Sequence, residues 1–159
     1  MQYCILKPAC FMDNFLPGAN SEPTQGTLQF LIDPDGVPLP LVACDDIGAF
    51  ACMALHAPAT FHGKEIELAG DCLTGNQMAE AFSKVRGGEP WKYSAAPLWL
   101  LTLFMKELAT MGYYFINPGM KVDLEESKKY RPMLTLEQWL VKKGYDKKVM
   151  KPASMCTIA

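Results

Sequence analysis

The sequence has no glycine-rich phosphate loop. Its 12 glycines form neither Gly-x-Gly-x-x-Gly nor Gly-x-x-Gly-x-x-Gly, the spacings that let a strand–helix turn approach a pyrophosphate. Gly63, Gly70, Gly75, Gly87-Gly88 and Gly112 come nearest and do not make the pattern. By itself the chain is therefore expected to hold a dinucleotide weakly or not at all. The six cysteines form no Cys-x-x-Cys pair and no zinc spacing. Cys52 and His56 stand four apart on one helix with His62 beyond, but a metal needs a further ligand. A buried thiol and a turn histidine are the simpler reading. Serine, histidine and aspartate never gather in a context that suggests nucleophilic catalysis, so no catalytic residue is assigned.

Positive charge is also in short supply. The formal net charge is −2 and the pI is near 5.7, which leaves no footprint for direct nucleic-acid or anionic-membrane binding. The lysines between Lys142 and Lys148 read as a solvated helix end. The chain shows no basic segment and apolar h-region at Met1, so reduced thiols and a cytoplasmic location are expected, with the nucleus as alternative. The apolar run from Leu98 to Ile116 carries Lys106 and Glu107 at its centre, which argues against a membrane span. It reads as a helix packed on the protein or on a partner. Half of the residues are apolar, 50%, which excludes a disordered class. A single domain of this length buries roughly 68–70% of its unfolded surface.

What is present begins with Met1 to Gly18. Tyr3–Leu6 is a short apolar run closed by Lys7-Pro8, where a ladder loses a donor and a buried strand stops. Ala9–Leu16 then suits the wall that leaves a strand end, where open α/β sheets place their ligands. A polar loop over Ala19–Gln25 is followed by a loose strand from Gly26 to Ile32. Asp33-Pro34-Asp35-Gly36 is a turn, and Val37–Val42 returns as an edge strand or extended arm because of Pro38 and Pro40, giving a weak hairpin. Asp45 is the expected N-cap of a helix with Ile47, Phe50, Ala51, Ala54 and Leu55 inward, ended by Pro58. Glu65–Ala69 is a strand. Thr74–Gln77 is a capping box for a helix with Met78, Ala79, Phe82 and Val85 inward, broken at Gly87-Gly88. Trp91–Tyr93 is extended, Pro97 opens the long apolar helix, and Asn117-Pro118-Gly119 stops it. Asp123–Glu126 and Thr135–Gln138 are further capping boxes, the last before a helix with Leu136, Trp139, Leu140 and Val141 inward.

Several of these segments resemble one family in order. Ile5, Leu6, Pro8, Phe11, Met12, Asn14 and Phe15 match the NmrA-like signature I-L-R-P-x-x-F-M-E-N-F, with Lys7 for Arg and Asp13 for Glu. Gly63 to Phe82 is similar to G-K-x-I-x-L-A-G-D-x-L-T-x-x-x-x-A-x-x-F, Asp46-Ile47-Gly48 to its D-I-G, and Leu134 to Leu140 to L-T-L-E-x-W-L. The resemblance implies the C-terminal part of an NmrA-like domain, an atypical short-chain dehydrogenase/reductase, over residues 1–147, with a disordered tail over 148–159. The implied fold is α/β and partly Rossmann-like: a few parallel strands, a hairpin-like pair and about five helices. The helix after Asp45 would join the opening strand to a parallel neighbour at Glu65–Ala69. By the same resemblance the cofactor is NADP(H), approached by Pro8, Ala9 and Phe11, with Phe11, Met12 and Asn14 lining the nicotinamide and substrate pocket. The plain structural reading stands beside it: Phe11, Met12 and Phe15 as core, and Asn14 capping its turn. Tyr3-x-x-x-Lys7 imitates the Tyr/Lys pair of ordinary short-chain dehydrogenases. On a strand, however, those residues lie about 13 Å apart, so the match reads as accidental.

Two functional classes follow from the resemblance. One is a non-catalytic binding or regulatory module. The other is an NAD(P)H-dependent oxidoreductase of the isoflavone-reductase-like branch, whose dinucleotide-binding half is not in this sequence. The opening strand is expected to leave an edge and a sheet face bare, to be covered by a protein partner or a homo-oligomer.

Overall fold

The computed structural model describes residues 2–18, 26–87, 90–117 and 119–146. The expected loop over residues 19–25, Gly88, Pro118 and the tail from 147 lie outside them. The frame is set by two strands, β1 (Ile5–Pro8) and β5 (Glu65–Leu68), paired in parallel with Ile5 opposite Glu65. Between them run β2 (Cys10–Phe11), a 3-10 turn (Met12–Phe15), β3 (Thr27–Phe30), β4 (Leu39–Val42), α1 (Cys44–His56) and α2 (Pro58–Phe61). The parallel pair joined through a helix is as the resemblance implied. After β5 come β6 (Asp71–Leu73), α3 (Gly75–Arg86), β7 (Lys92–Ala95), α4 (Leu98–Phe104), α5 (Lys106–Ile116), α6 (Leu124–Lys128) and α7 (Leu136–Lys142).

The hairpin does not form. The turn closes, with the Gly36 N–H donating to Asp33 O at 3.3 Å, but its flanking strands part. β3 pairs in parallel with β7, whereas β4 lies between β2, parallel, and β6, antiparallel. All four residues of β4 are buried, and it is the central strand of its sheet rather than an edge. The pairing with β2 begins at Leu41, beyond Pro40.

Seven α-helices appear among the described residues, more than expected, because Pro58 starts an extra turn and the long apolar run breaks at Met105. The break turns α4 back on α5, so that Leu98 meets Gly112; a Cβ there would lie 2.5 Å from Leu98 Cδ2. No described helix is long and apolar enough to cross a membrane. The capping boxes at Thr74 and Thr135 close reciprocally with Gln77 and Gln138. At Asp123 the carboxylate instead takes the Glu125 N–H at 2.9 Å, and α6 ends at Lys128.

Two apolar clusters result. The larger gathers Met12, Phe15, Leu28, Phe30, Phe82, Trp139 and their neighbours between the small sheets, α3 and α7. The smaller sets Phe50 of α1 and Phe61 of α2 against Ile66 and Leu68 of β5. Two residues expected inside are outside: Leu55, on the outer side of α1, and Val141, on the outer side of α7.

Candidate functional site

The segment Pro8 to Phe15 leaves β1 at its carboxyl end, the side on which parallel sheets present ligands. Ala9 is buried, its N–H donating to Leu68 O at 3.0 Å. Beyond it a 3-10 turn has three residues per turn, so Met12 and Phe15 share one side. Both are fully buried. Phe15 meets Phe30 and Phe82 edge-on at 5.7 and 5.9 Å, and Tyr145 Oη donates to its carbonyl. With that side bolted to the core, the rest of the segment faces out. Phe11 is 40% exposed, Pro8 is exposed, and Asn14 is half-buried, with Nδ2 at 3.9 Å from Cys10 Sγ. The five sequence-predicted contacts therefore divide: Pro8, Phe11 and Asn14 reach the surface, while Ala9 and Met12 lie inside.

Asp13 has a different role. Its Oδ2 accepts the N–H of Cys44 at 2.9 Å. The expected cap from Asp45 is not made, because α1 begins two residues earlier, with Ala43 in the cap position and no cap from its own side chain. Asp45 turns outward to Lys142 at 2.8 Å and Lys143 at 3.5 Å. The Lys142 hydrogen bond holds its carboxyl below the ordinary carboxylate value. Lys143 also reaches Asp13 at 3.6 Å, tying the turn, the start of α1 and the end of α7 together. Asp46 points inward, 2% exposed. It accepts the Leu134 N–H at 2.8 Å and pairs with Arg131 at 3.5 Å.

Tyr3 and Lys7 are not brought together. Lys7 is paired with Glu65, which raises its pKa. Tyr3 lies before β1, its ring edge-on to His62 at 5.5 Å and its N–H donating to His62 Nδ1 at 3.3 Å. Cys52 is exposed rather than buried, because two residues past Phe50 is the opposite side of a helix. His56 Nδ1 stands 3.5 Å from its sulfur and 2.8 Å from its carbonyl oxygen. Among the described residues no group of His, Cys, Asp and Glu is placed to hold a metal.

The cysteines nearest the turn are held as thiols. Burial pushes Cys10 up to about 12, and for Cys44 burial and then Asp13 raise the value to about 11. Cys44 is exposed yet should alkylate slowly at neutral pH, because only the thiolate is nucleophilic. Iodoacetamide labelling followed by mass spectrometry should rise about tenfold per pH unit past the ordinary thiol range. A plateau near the ordinary value of 9.0 would refute the assignment.

Two features escaped the sequence reading. The Ile5 N–H donates to Lys64 O at 2.9 Å and that of Ala9 to Leu68 O at 3.0 Å. Alternation then points the Leu6 N–H away from β5, toward an edge with no paired strand among the described residues. The donor that Pro8 lacks falls on that same edge, where its loss interrupts nothing. Beside the strand runs a groove of about 310 Å³ lined by Tyr3, Leu6, Leu55, Phe61 and His62 among others. A bare edge on the opening strand was expected, but not which donor it would carry; the groove depends on how α1 and α2 settle over β1, which no local pattern states.

Among models of known families, that of the NmrA-like family matches residues 1–140. The chain belongs to the NmrA-like family. Solved structures agree on the fold. A nucleoside-diphosphate-sugar epimerase from Staphylococcus aureus superposes with a TM-score of 0.67 at 20% identity, over 88% of this chain and 52% of that one. NmrA, a negative transcriptional regulator in complex with NADP, gives 0.58 at 18% identity, over 87% and 51%. An isoflavone reductase gives 0.63 at 18% identity, over 90% and 53%. This NmrA-like chain thus spans about half the length of the solved structures it matches. No curated protein sequence matches it.

Proposed function

We propose that this NmrA-like chain binds and regulates rather than turns over substrate, supplying a ligand-facing wall and a partner-facing edge. The observation that carries this reading is the exposed Phe11 ring and half-buried Asn14 at the end of β1, where the nearby Lys7 is engaged by Glu65. Lysine chemistry at neutral pH needs a lowered pKa, whereas Glu65 raises that of Lys7. What the strand end presents instead is the Phe11 ring and the Asn14 carboxamide, a flat apolar surface and a donor–acceptor pair. These suit the nicotinamide end of NADP(H) and orient a ligand without exchanging protons.

The pyrophosphate end does not fit. A helix start attracts phosphate through free amides and its dipole. The α1 start is instead taken by the Asp13 carboxylate and carries Asp45 and Asp46 in its first turn. The α3 start is closed by its capping box and lies under Tyr93, whose ring would stand 2.4 Å from a Cβ on Gly75. Firm dinucleotide binding by these residues alone is not expected. A partner protein, or a second copy, adding a strand beside β1 would satisfy the Leu6 N–H. The NADP-bound neighbour described as a negative transcriptional regulator lends support to the regulatory reading.

The test is a titration of NADP⁺ and NADPH against the 159-residue chain, followed by calorimetry and tryptophan fluorescence. No saturation up to millimolar ligand is the expected result. Saturable micromolar binding would overturn the misfit argument, and catalytic oxidation of NADPH in the presence of a reducible substrate would favour the isoflavone-reductase-like alternative.

A further inference from the structure

The outer side of α4 is apolar except for Thr102, whose hydroxyl is turned back onto the Leu98 carbonyl at 2.9 Å. No charged residue occurs between Lys92 and Lys106. Leu98 and Leu101 turn inward to the larger cluster, so the remaining positions of the helix face away from it. Trp99 is 69%, Leu103 70% and Phe104 81% exposed, and Leu100, Met105 and Met111 continue the surface. Where α4 gives way to α5, an open groove is lined by Phe104, Met105, Leu108 and Met111, with Glu107 at its border. A large aromatic side chain buries 150–250 Å², so these six residues expose on the order of 600–700 Å² of apolar surface. The largest patch on an ordinary monomer is about 300–600 Å².

We infer that this face of α4 and the groove beside it form an isologous contact with a second copy of the chain. A two-fold interface requires one surface that complements itself. Here Trp99 and Leu103, one turn apart and both exposed, run through Phe104 into the open groove at the start of α5, so each copy offers both parts. Covering the patch on two copies buries about 1,300 Å², inside the range of about 1,200–2,000 Å² that specific interfaces occupy. The rim carries one charge of each sign, Lys106 and Glu107, which a two-fold axis can set opposite each other. This surface shares no residue with the turn at Phe11 or with the edge of β1, so the contact goes beyond the function proposed above.

Sedimentation equilibrium of the 159-residue chain, from nanomolar to hundred-micromolar concentration, should show a reversible monomer–dimer transition in the micromolar range. Leu103→Glu and Phe104→Glu, at exposed positions that leave the core intact, should each raise the dimer dissociation constant about tenfold or more. Val141→Glu, exposed on the outer side of α7, should leave it unchanged. Three results overturn the inference. One is a monomer throughout the range. Another is a dimer indifferent to both α4 variants but broken by Ile5→Lys at the β1 edge. The third is a monomer that co-sediments with phosphatidylcholine vesicles in an α4-dependent way, which would make the patch a lipid surface.

Discussion

Gly70→Ala is expected to cost about 3 kcal/mol or more, the upper end of what overpacking does. A Cβ on Gly70 would stand 2.0 Å from the carbonyl oxygen of Leu134 and 3.0 Å from its carbonyl carbon. Backbone cannot rotate out of the way as a side chain does. The obstacle is steric, since Gly70 is not among the residues with positive φ. Either the strand end or the Leu134 segment must shift, and each is tied down. Gly70 N–H donates to Leu41 O at 2.8 Å, and the Leu136 N–H donates to Asp71 Oδ2 at 3.0 Å. Against a total stability of about 5–15 kcal/mol, a loss of that size removes much of the folded population. A urea transition should move to a lower midpoint with its slope unchanged. Gly48→Ala is the matched control of opposite sign. It lies within α1, has open space around it and ordinary φ, so alanine should stabilise by up to about 1 kcal/mol. Equal effects at the two positions would contradict the argument.

Asp46→Ala should cost about 2–3 kcal/mol, because it removes a buried carboxylate that pairs with the partly exposed Arg131 and accepts a backbone amide. The carboxylate is buried and does two things at once, accepting the Leu134 N–H at 2.8 Å and facing Arg131 at 3.5 Å. Its removal strands an amide and leaves a guanidinium whose Nη1 already lacks a partner. Asp46→Asn keeps an acceptor for the amide and loses only the charge, so it should cost roughly half as much. If the asparagine variant is as damaging as alanine, the charge carries the effect. If both are neutral in urea unfolding, the latch has no energetic weight. Both substitutions act on the same short segment, Met133 to Leu136, which holds the α7 end of the chain against the strand ends of β4, β5 and β6.

Much of this molecule was legible locally. The Thr74 and Thr135 boxes predicted two helix starts because a hydroxyl and an amide three residues on act within one turn. The stripe of Met78, Ala79 and Phe82 on α3, and of Leu136, Trp139 and Leu140 on α7, gave the buried faces correctly. The break at Met105 gave no such sign, because nothing in Phe104-Met105-Lys106 forbids a helix. It goes with the long-range packing of Leu98 against Gly112. In the candidate site the sequence placed Pro8 at the end of a strand, but the 3-10 turn decided that Met12 would face the core and Phe11 the solvent.

The contrast between Asp45 and Asp46 marks the boundary between the two kinds of information. The sequence alone established that two adjacent carboxylates open a helix, that Pro8 closes a strand, and that a family signature runs through the chain. Those properties reside in neighbouring residues and their torsions. Only the tertiary structure decided that Asp45 meets the α7 lysines while Asp46 takes the Leu134 amide, that β3 finds β7 instead of β4, and that one face of α4 is left apolar and open. Each of those outcomes depends on groups brought together from distant parts of the chain, and a local pattern cannot specify which distant group will arrive.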